Sequence, residues 1–576
     1  MVIKRKRLLT LVGTVILLLS LAVPMMQCAP AAEEEVTPPA EEEEVTPPAE
    51  EEEVTPPVEE GEIKYGGRFN VGWAPGACLE NLRLGQAWQY TAMGCDFWPL
   101  VYEQLWIMGP APDYDPLPML ATSWETEDGQ TWIFHLREDA VFHDGVPVTA
   151  EDVAFTVEYL PGADPAWCFS DTLTEAGSVK VIDTYTVQFT LRTVVGGEYP
   201  AFGWCPILPK HIWEPYKDNM SAFDNAEAIG SGPFKVKEFK PSEYVWFEAN
   251  REYWDEEIPY VDEIVYKGYG SFDAMYMALE SGEIDMIGYD YCSALAAEDF
   301  KAKGFTVIEC PGIGMYWLSF NLHKEGPIQD LVVRQAIMHA MDKDKMIDMV
   351  MLGHGSKSDS WIYPELPEYN PNLPQYDFDV NKANALLDGA GYVDSDGDGI
   401  RNDPTTGKNM EFSLIVTSTW TSAVKMATLI KEMLAETGIG IDMLVLDLNT
   451  FYAYLYAPQN DMYDIGFSEE EPGPNGGWIW EFARSFADGG GGWNTSYYDN
   501  PAFDEALNAM TAERDMEKRK ELLMDMQMMI AEDLPYGFLI RTVALDPVSD
   551  KFEGYVEGMG LSPWINPWTF FKVHLK

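Results

Sequence analysis

The order of hydrophobic patterns in the second half of the chain constrains the fold more than any other feature. Alternating apolar residues over 412–416 predict a strand, and a 3.6-residue periodicity over 423–437 predicts a helix that ends before a glycine. A second strand at 439–446, a short helix at 449–456 and a third strand at 463–467 follow. Strands and helices in alternation favour right-handed crossovers and a largely parallel sheet, so we expect an α/β fold.

In such a sheet, ligands bind beyond the carboxyl ends of the strands. Two polar segments follow predicted strands: Ser418, Thr419 and Trp420 come after the first, and residues 468–471, Ser-Glu-Glu-Glu, come after the third. The pattern therefore predicts an aromatic side chain and a carboxylate cluster at one opening of the sheet.

The first half contains shorter signals of the same kind. Residues 131–137 and 186–192 alternate between apolar and polar side chains, which indicates two half-buried strands. Between them, Thr149 and Asp152 have the spacing of a variant capping box, which predicts a helix start at this point.

The amino terminus has the pattern of an export signal. Residues 4–7 are basic, residues 8–23 are apolar, and Cys28 follows shortly after Pro24. We expect residues 1–27 to be a signal sequence and Cys28 to be lipidated, although Gln27 departs from the small residue usual before such a cysteine. The alternative is an uncleaved anchor, since an apolar run of this length approaches the ~20 residues that span a bilayer. Both interpretations place the body outside the cytoplasm, attached to a membrane.

A Glu- and Pro-rich segment comes next. The heptapeptide EEEVTPP occurs three times in residues 33–60, which carry no basic residue. Such a segment buries no core, so we expect residues 28–62 to form a disordered, lipid-anchored linker. In polyproline II conformation it would reach about 100 Å.

Composition excludes several classes of function. A net charge of −57 argues against a nucleic-acid partner, because phosphate binding requires clustered Lys and Arg. The seven His are scattered along the chain, and the sequence contains no H-E-x-x-H, G-x-S-x-G or phosphate-loop motif. We therefore expect no enzyme activity. Besides Cys28 there are six cysteines, enough for three disulfides, and their pairing stays open: Cys78, Cys95, Cys168, Cys205, Cys292 and Cys310.

A series of short motifs then gives the chain a family likeness. The segments lie in family order at 120–125, 132–138, 141–153, 230–235, 249–254, 281–285, 320–321, 333–337, 385–392 and 493–504. Together they resemble the family 5 extracellular solute-binding proteins, the dipeptide-, oligopeptide- and nickel-binding receptors of ABC importers. The resemblance covers residues 63–576.

The resemblance implies a two-lobed α/β fold of the periplasmic-binding-protein type (type II, large cluster). The first lobe is expected at 63–312 plus 537–576, with an extra subdomain inserted at about 100–205, and the second lobe at 313–536. The lobes close over a solute that contacts both of them.

Ligand residues also follow from the resemblance. Peptide-binding relatives carry a Trp-x-x-Asp-x-x-x-Pro segment whose Asp pairs with the peptide's α-amino group. Here Phe467 stands for the Trp, Glu470 for the Asp, and Pro474 keeps its spacing. Glutamate preserves the charge and lengthens the arm by a methylene group. A solvated acidic loop is the alternative interpretation of these residues.

Three further aromatic residues are candidates for the cleft. Trp420 matches a family position at which an aromatic lines the cleft, and Tyr316 and Trp317 precede the Phe320-Asn321 motif. Each is otherwise explained as an aromatic of the hydrophobic core. Aromatic faces suit apolar side chains, cations and sugar rings alike, so they do not identify the ligand.

A separate metal site is predicted at 394–403. The segment begins like an EF-hand calcium loop, with Asp at positions 1, 3 and 5 and Gly at 6, but position 12 is Thr405 in place of Glu. We expect a structural Ca²⁺, with no other cofactor required, and a solvated turn is the alternative. The predicted ligands are Asp394, Asp396, Asp398, Ile400 and Asn402.

These patterns lead to one functional hypothesis. The protein is a monomeric, membrane-anchored, extracytoplasmic receptor that binds peptides between its lobes and delivers them to an ABC permease. An oligosaccharide receptor of the same fold is the first alternative, favoured by 19 Trp. A secreted hydrolase is the second.

Overall fold

The computed structural model describes most of the chain after the Glu- and Pro-rich segment. The described residues are 63–73, 82, 98–109, 116–159, 178–191, 194, 206–219, 222–288, 292–457, 461–470, 479–485, 493–556 and 567–576. The predicted signal sequence, Cys28 and the linker lie outside them. No helix in this part of the chain is both long and apolar enough to cross a membrane.

The strands are short, except for two that each exceed 12 residues. They are β1 Arg68–Trp73, β2 Trp106–Met108, β3 Pro116–Pro118, β4 Ala121–Thr126, β5 Thr131–Leu136, β6 Val179–Asp183, β7 Thr186–Thr190, β8 Phe234–Lys240, β9 Tyr244–Ala249, β10 Glu263–Gly268, β11 Met286–Gly288, β12 Thr306–Phe320, β13 Gly355–Lys357, β14 Glu411–Thr417, β15 Gly440–Leu446, β16 Ile465–Glu470, β17 Tyr536–Val548, β18 Phe552–Glu553 and β19 His574–Leu575.

The helices lie mostly in the second half of the chain. They are α1 Trp98–Val101, α2 Ala150–Tyr159, α3 Lys210–Trp213, α4 Phe272–Ser281, α5 Ala294–Ala302, α6 Leu331–His339, α7 Lys343–Val350, α8 Val380–Gly389, α9 Thr421–Ala435, α10 Leu448–Leu455, α11 Pro501–Ala512, α12 Met516–Asp533 and α13 Pro567–Lys572.

One sheet runs through both halves of the described chain. Its order is β15-β14-β16-β12-β17-β11-β1-β10-β9-β8, and β13 pairs with β17 at the side. The first half contributes β1 with parallel neighbours β10 and β11, and the second contributes β14 with parallel neighbours β15 and β16. The long antiparallel pair β12 and β17 joins them. Two α/β halves connected by crossing strands agree with the expected two lobes.

The predicted strand–helix series of the second lobe is confirmed, with one difference. Strands β14, β15 and β16 and helices α9 and α10 occur in the predicted order, and both strand pairs of β14 are parallel. The third strand, however, continues to Glu470 and does not end at Phe467. Its polar end stays extended because it pairs with β12, from which Met315 lies opposite Glu470.

The crossing strands contain an irregularity at the junction of the lobes. Residues 306–311 of β12 pair with 543–548 of β17, and residues 315–319 pair with 536–541. The register shifts between Pro311 and Met315, so the ladder breaks where the predicted lobe boundary falls on β12. On β17 the corresponding break lies near residue 542, later than the predicted boundary at 537.

A smaller antiparallel sheet, β4-β5-β7-β6, lies inside the predicted subdomain of the first lobe. Its strands β5 and β7 and helix α2 confirm the three local predictions made for this region. One carboxylate oxygen of Asp152 accepts hydrogen bonds from the Thr149 backbone N–H and hydroxyl, both at 2.9 Å. The other accepts one from the Lys210 backbone N–H, so Asp152 caps α2 and attaches it to α3.

Separate hydrophobic cores stabilise these parts. One core includes Phe69 and Phe247 beneath the first-lobe sheet, and another fills the small sheet around Phe134. In the second lobe two cores cover the opposite faces of β12 and β16. Side chains that alternate along these two strands therefore enter different cores.

Candidate functional site

The polar ends of parallel strands lie at one edge of the second-lobe sheet. Strand β14 ends at Thr417 and leads through Trp420 into α9, while β16 ends at Glu470 beside the irregular part of β12. Ligands of open α/β sheets bind at such edges. This strand-end site brings together the two segments that the sequence predicted to share an opening.

Trp420 is the one predicted aromatic residue that keeps part of its surface exposed. It occupies the N-cap position of α9 and packs against the neighbouring core with the rest of its side chain. The Trp420 side chain makes no capping hydrogen bond, and the backbone N–H groups of the first turn lie at the same edge. The edge therefore offers an aromatic surface and hydrogen-bond donors side by side.

Tyr316 and Phe467 are stacked within the core on one face of the sheet. Their ring centroids are 5.4 Å apart at an interplanar angle of 22°, and both side chains are buried. The Tyr316 hydroxyl is 3.0 Å from the Ser422 hydroxyl in the first turn of α9. Tyr316 and Phe467 thus hold the start of α9 against β12 and β16. They pack in the core beside the ligand edge of the sheet.

Trp317 points to the opposite face of the sheet from Tyr316. It is fully buried and packs edge-on against Trp361 and Phe482. Its indole N–H and the hydroxyl of Ser468, the residue opposite it on β16, have no hydrogen-bond partner among the described residues. Buried polar groups of this kind carry a desolvation cost unless a partner is supplied. The sequence pointed to Trp317 and to the segment 468–471, but it gave no sign that the Ser468 hydroxyl would be buried opposite Trp317.

Glu469 lies at the irregular part of β12. A Cβ atom at Gly314 would be 2.7 Å from both the Glu469 Oε1 atom and the Thr542 hydroxyl oxygen, so only glycine leaves room for these groups. The Gly314 N–H donates to that hydroxyl at 2.8 Å. A carboxylate therefore lies beside the crossing strands, where the lobes meet. Sequence reasoning selected Glu470 from the acidic run, and nothing in the run distinguished Glu469.

Glu470 is the last residue of β16, and its backbone pairs with Met315. Pro474 lies outside the described residues. The role predicted for Glu470 stays a prediction, supported so far by its place at the strand end.

Arg541, a buried cation on the crossing strand β17, is neutralised by Glu365. Arg541 donates to both oxygens of Glu365, at 2.6 and 2.9 Å, and to the Ser356 hydroxyl at 3.0 Å. The two-point arrangement holds the guanidinium in place. The acidic groups at the strand ends are therefore not offset by Arg541.

The first lobe contributes its own strand ends. Strand β1 ends at Trp73 and β11 ends at Gly288, where a Cβ atom would be 3.2 Å from the Trp73 ring. Asp546 of β17 is buried in the same part of the sheet, in register with Ile308. The residues that follow Trp73 and Gly288 lie outside the described part of the chain.

Three of the five predicted calcium ligands come together. Asp394, Asp396 and Asp398 are exposed, and each has a carboxylate oxygen within 4.8 Å of the others. Backbone N–H groups of Gly397 and Gly399 donate to Asp394 and hold the pKa of its carboxyl below the usual value.

Asn402 makes hydrogen bonds with other residues of the loop. It is buried, its amide oxygen accepts from the Ser395 N–H and hydroxyl, and its amide nitrogen donates to Asn409. Ile400 donates its N–H to Asp398. Asn402 thus closes the base of the loop, and calcium binding itself stays a prediction.

Of the cysteines, Cys292 and Cys310 are buried. Cys78, Cys95, Cys168 and Cys205 lie outside the described residues, as does Cys28.

Solved structures establish the class of fold. The oligopeptide-binding protein AppA of Bacillus subtilis, in complex with a nonapeptide, superposes with a TM-score of 0.70 at 23% identity, covering 89% of this chain and all of that one. A periplasmic oligopeptide-binding protein of Thermotoga maritima gives 0.76 at 23% identity, over 88% and 99% of the two chains. NikA of Brucella suis, in complex with Fe(III)-EDTA, gives 0.74 at 23% identity, over 88% and 100%. The expected two-lobed, type II binding-protein fold is confirmed.

The family follows from the sequence comparison. Residues 115–489 match the model of the bacterial extracellular solute-binding proteins, family 5 (middle region), and the chain belongs to this family. It is 26% identical to the oligopeptide-binding protein AppA of Bacillus subtilis over 457 residues, covering 75% of this chain and 79% of the relative. The dipeptide-binding protein of Escherichia coli is 25% identical, with coverages of 76% and 83%. Heme-binding protein A of Haemophilus influenzae is 24% identical, with coverages of 76% and 81%.

Proposed function

We propose that this protein is the peptide receptor of an ABC importer, and that it binds its ligand without altering it. The observation that carries the proposal is the similarity to oligopeptide- and dipeptide-binding proteins over three quarters of this chain. The relatives described above do not support the oligosaccharide or hydrolase alternatives. One relative is a heme-binding protein, and a structure of similar fold, NikZ of Campylobacter jejuni, is in complex with Ni(L-His), so a binding test must include both ligands.

The chemistry of the strand-end site suits a peptide ligand. A free peptide carries an ammonium group at one end, and a carboxylate at a partly closed site forms a charge-assisted hydrogen bond with it. We assign this role to Glu470, with Glu469 as the neighbouring carboxylate. Trp420 offers an aromatic face to an apolar ligand side chain. Tyr316, Phe467 and Trp317 hold these positions from within the two cores.

The location of the protein is part of the proposal. Lipidation at Cys28 would attach the chain to the outer face of a membrane, and the Glu- and Pro-rich linker would carry a monomeric body away from it. Binding changes the balance between open and closed lobes because the ligand gains contacts with both lobes only when they are closed. The permease would then take the ligand from the receptor.

The first experiment measures ligand binding by the purified protein. Thermal unfolding in the presence of peptide pools, followed by calorimetry on the best pool, should give a warm shift and one-to-one binding. Heme, Ni(L-His) and xylo-oligosaccharides serve as competitors. A flat response to every peptide library together with binding of one competitor would overturn the assignment of peptides.

The second experiment tests Glu470. We expect Glu470→Gln to weaken a peptide with a free amino end by about 2–5 kcal/mol, because one half of a charged pair is lost. N-acetylation of the peptide should cause a similar loss in the wild-type protein and little further loss in the variant. Glu432→Gln, on the exposed side of α9, is the matched control. An affinity unchanged in Glu470→Gln would place this residue outside the site and direct the same test to Glu469.

A further inference from the structure

The second lobe contains a cavity away from the strand-end site. It lies between the end of α6, the start of α7, β13, the end of α12 and the start of β17, and has a volume of about 120 Å³. None of the residues assigned to the strand-end site lines it. A cavity of this volume has room for several water molecules or for a small organic molecule.

A lysine ammonium lies in this cavity. Lys343, the first residue of α7, is mostly buried and donates to the Ser358 carbonyl oxygen at 2.7 Å. That carbonyl is its one hydrogen-bond acceptor among the described residues. Asp359 and Asp377 attract the ammonium from beyond ion-pair distance, and Lys357 repels it. Burial lowers the pKa of Lys343 to about 8. A buried ammonium with a single acceptor is costly, so a second acceptor in the cavity would stabilise it.

The other charged groups around the cavity have partners of their own or lie at its rim. Asp344 pairs with Lys357 at 2.7 Å. Asp359 accepts hydrogen bonds from the Tyr369 hydroxyl on both oxygens and from the Gln375 amide. Asp377 is exposed. Of the two lysines that line the cavity, Lys343 is therefore the one without a carboxylate at ion-pair distance among the described residues.

The rest of the lining is largely apolar. Met338 belongs to the end of α6, Met341 and Leu534 follow α6 and α12, and Phe538 belongs to β17. Methionine side chains adapt readily to small apolar groups. The cavity thus places one ammonium next to an apolar surface.

We propose that this cavity is a second binding site, independent of the peptide site, for a small carboxylate with a short alkyl chain. The carboxylate accepts a hydrogen bond from Lys343, and the alkyl chain contacts the two methionines, Leu534 and Phe538. The site adds a ligand class that a peptide receptor does not require.

The test uses sodium butyrate as the probe, with sodium chloride at equal ionic strength and 1-butanol as references. Butyrate should raise the melting temperature in a dose-dependent manner, with saturation at millimolar concentrations, and butanol should bind more weakly. Lys343→Met should lower the butyrate affinity about tenfold or more. Lys345→Met, on the same helix but outside the cavity, should change it by less than about twofold. Peptide affinity should be the same in all three proteins.

The pH dependence gives an independent readout. Because the ammonium form binds the carboxylate, butyrate affinity of the wild-type protein should fall as the pH rises from 7 to 9, through the pKa of Lys343. Lys343→Arg keeps its charge over this range and should show no such fall. Equal stabilisation by butyrate and butanol, or full affinity in Lys343→Met, would overturn the proposal. If that variant does not fold, a flat pH profile of the wild-type protein would overturn it.

Discussion

Glu103 is a carboxyl group whose chemistry is changed by burial. It is 1% exposed and accepts hydrogen bonds from the Tyr253 hydroxyl at 2.7 Å and the Trp254 indole at 2.6 Å. Arg137 lies 3.2 Å above the Trp254 ring. Burial outweighs these contacts and raises the pKa of Glu103 to about 7.

This shift predicts a pH dependence of stability. The unfolded chain releases the Glu103 proton near pH 4.5, whereas the folded protein releases it near pH 7. The contribution of Glu103 to the free energy of unfolding therefore falls by about 3 kcal/mol as the pH rises from 4.5 to 8. Glu103→Gln should not show this fall. Denaturant unfolding across the pH range measures the difference, with Glu125→Gln on the exposed side of β4 as the control. Parallel curves for wild type and Glu103→Gln would contradict the prediction.

At the scale of elements, the loop at 394–403 shows how a segment holds its shape from local contacts. Asp394 caps the N–H groups of two glycines, and Asn402 connects the two ends of the loop. The three carboxylates stay close together although they repel one another. Carboxylate oxygens that lie within 4.8 Å of one another can bind one calcium ion together, since each Ca–O distance is about 2.4 Å.

We therefore expect calcium to stabilise the protein through this loop. At one hundred times the dissociation constant, Ca²⁺ should add about 3 kcal/mol to the free energy of unfolding, and EDTA should remove it. Asp396→Asn should abolish most of the effect, whereas Asp388→Asn, which lies outside the cluster, should keep it. The measurement is thermal unfolding with and without Ca²⁺. Identical melting temperatures in Ca²⁺ and EDTA would show that the loop is a solvated turn.

At the scale of the whole molecule, the two lobes touch away from the crossing strands. Arg514, between α11 and α12, donates to the Glu127 carbonyl oxygen at 2.7 Å. Gly129 of the same turn is buried, and a Cβ atom there would be 3.0 Å from the Arg514 side chain. Asp128 accepts from the N–H groups of Gln130 and Thr131 and keeps the turn in shape. The contact joins the subdomain of the first lobe to the second lobe.

Because this contact requires the lobes to be close together, its loss should favour the open form. We expect Arg514→Ala to lower the affinity for peptide about fivefold, mainly through faster dissociation, since an exposed hydrogen bond contributes about 1 kcal/mol. Stopped-flow dissociation and small-angle scattering measure the two effects. Lys518→Ala, on the exposed side of α12, should behave like the wild type. Equal dissociation rates in Arg514→Ala and Lys518→Ala would mean that the contact does not contribute to closure.

Several features of the protein follow from its sequence because they depend on near neighbours in the chain. Hydrophobic periodicity and a glycine at the end of the first helix predicted the order of β14, α9, β15, α10 and β16. The run of motifs predicted the family. The rule for parallel sheets alone predicted that the acidic segment at the end of β16 and Trp420 after β14 lie at one edge.

Other features were decided by contacts between residues far apart in the chain. Pairing with β12 extended β16 to Glu470, and the same pairing sent Tyr316 and Trp317 into different cores. The burial of Glu103 and the cavity around Lys343 each depend on elements contributed from distant segments. The local sequence pattern predicts the type of a helix or strand and where it ends. The register of strands, and the burial and charge environment of side chains, are set only when the elements pack together.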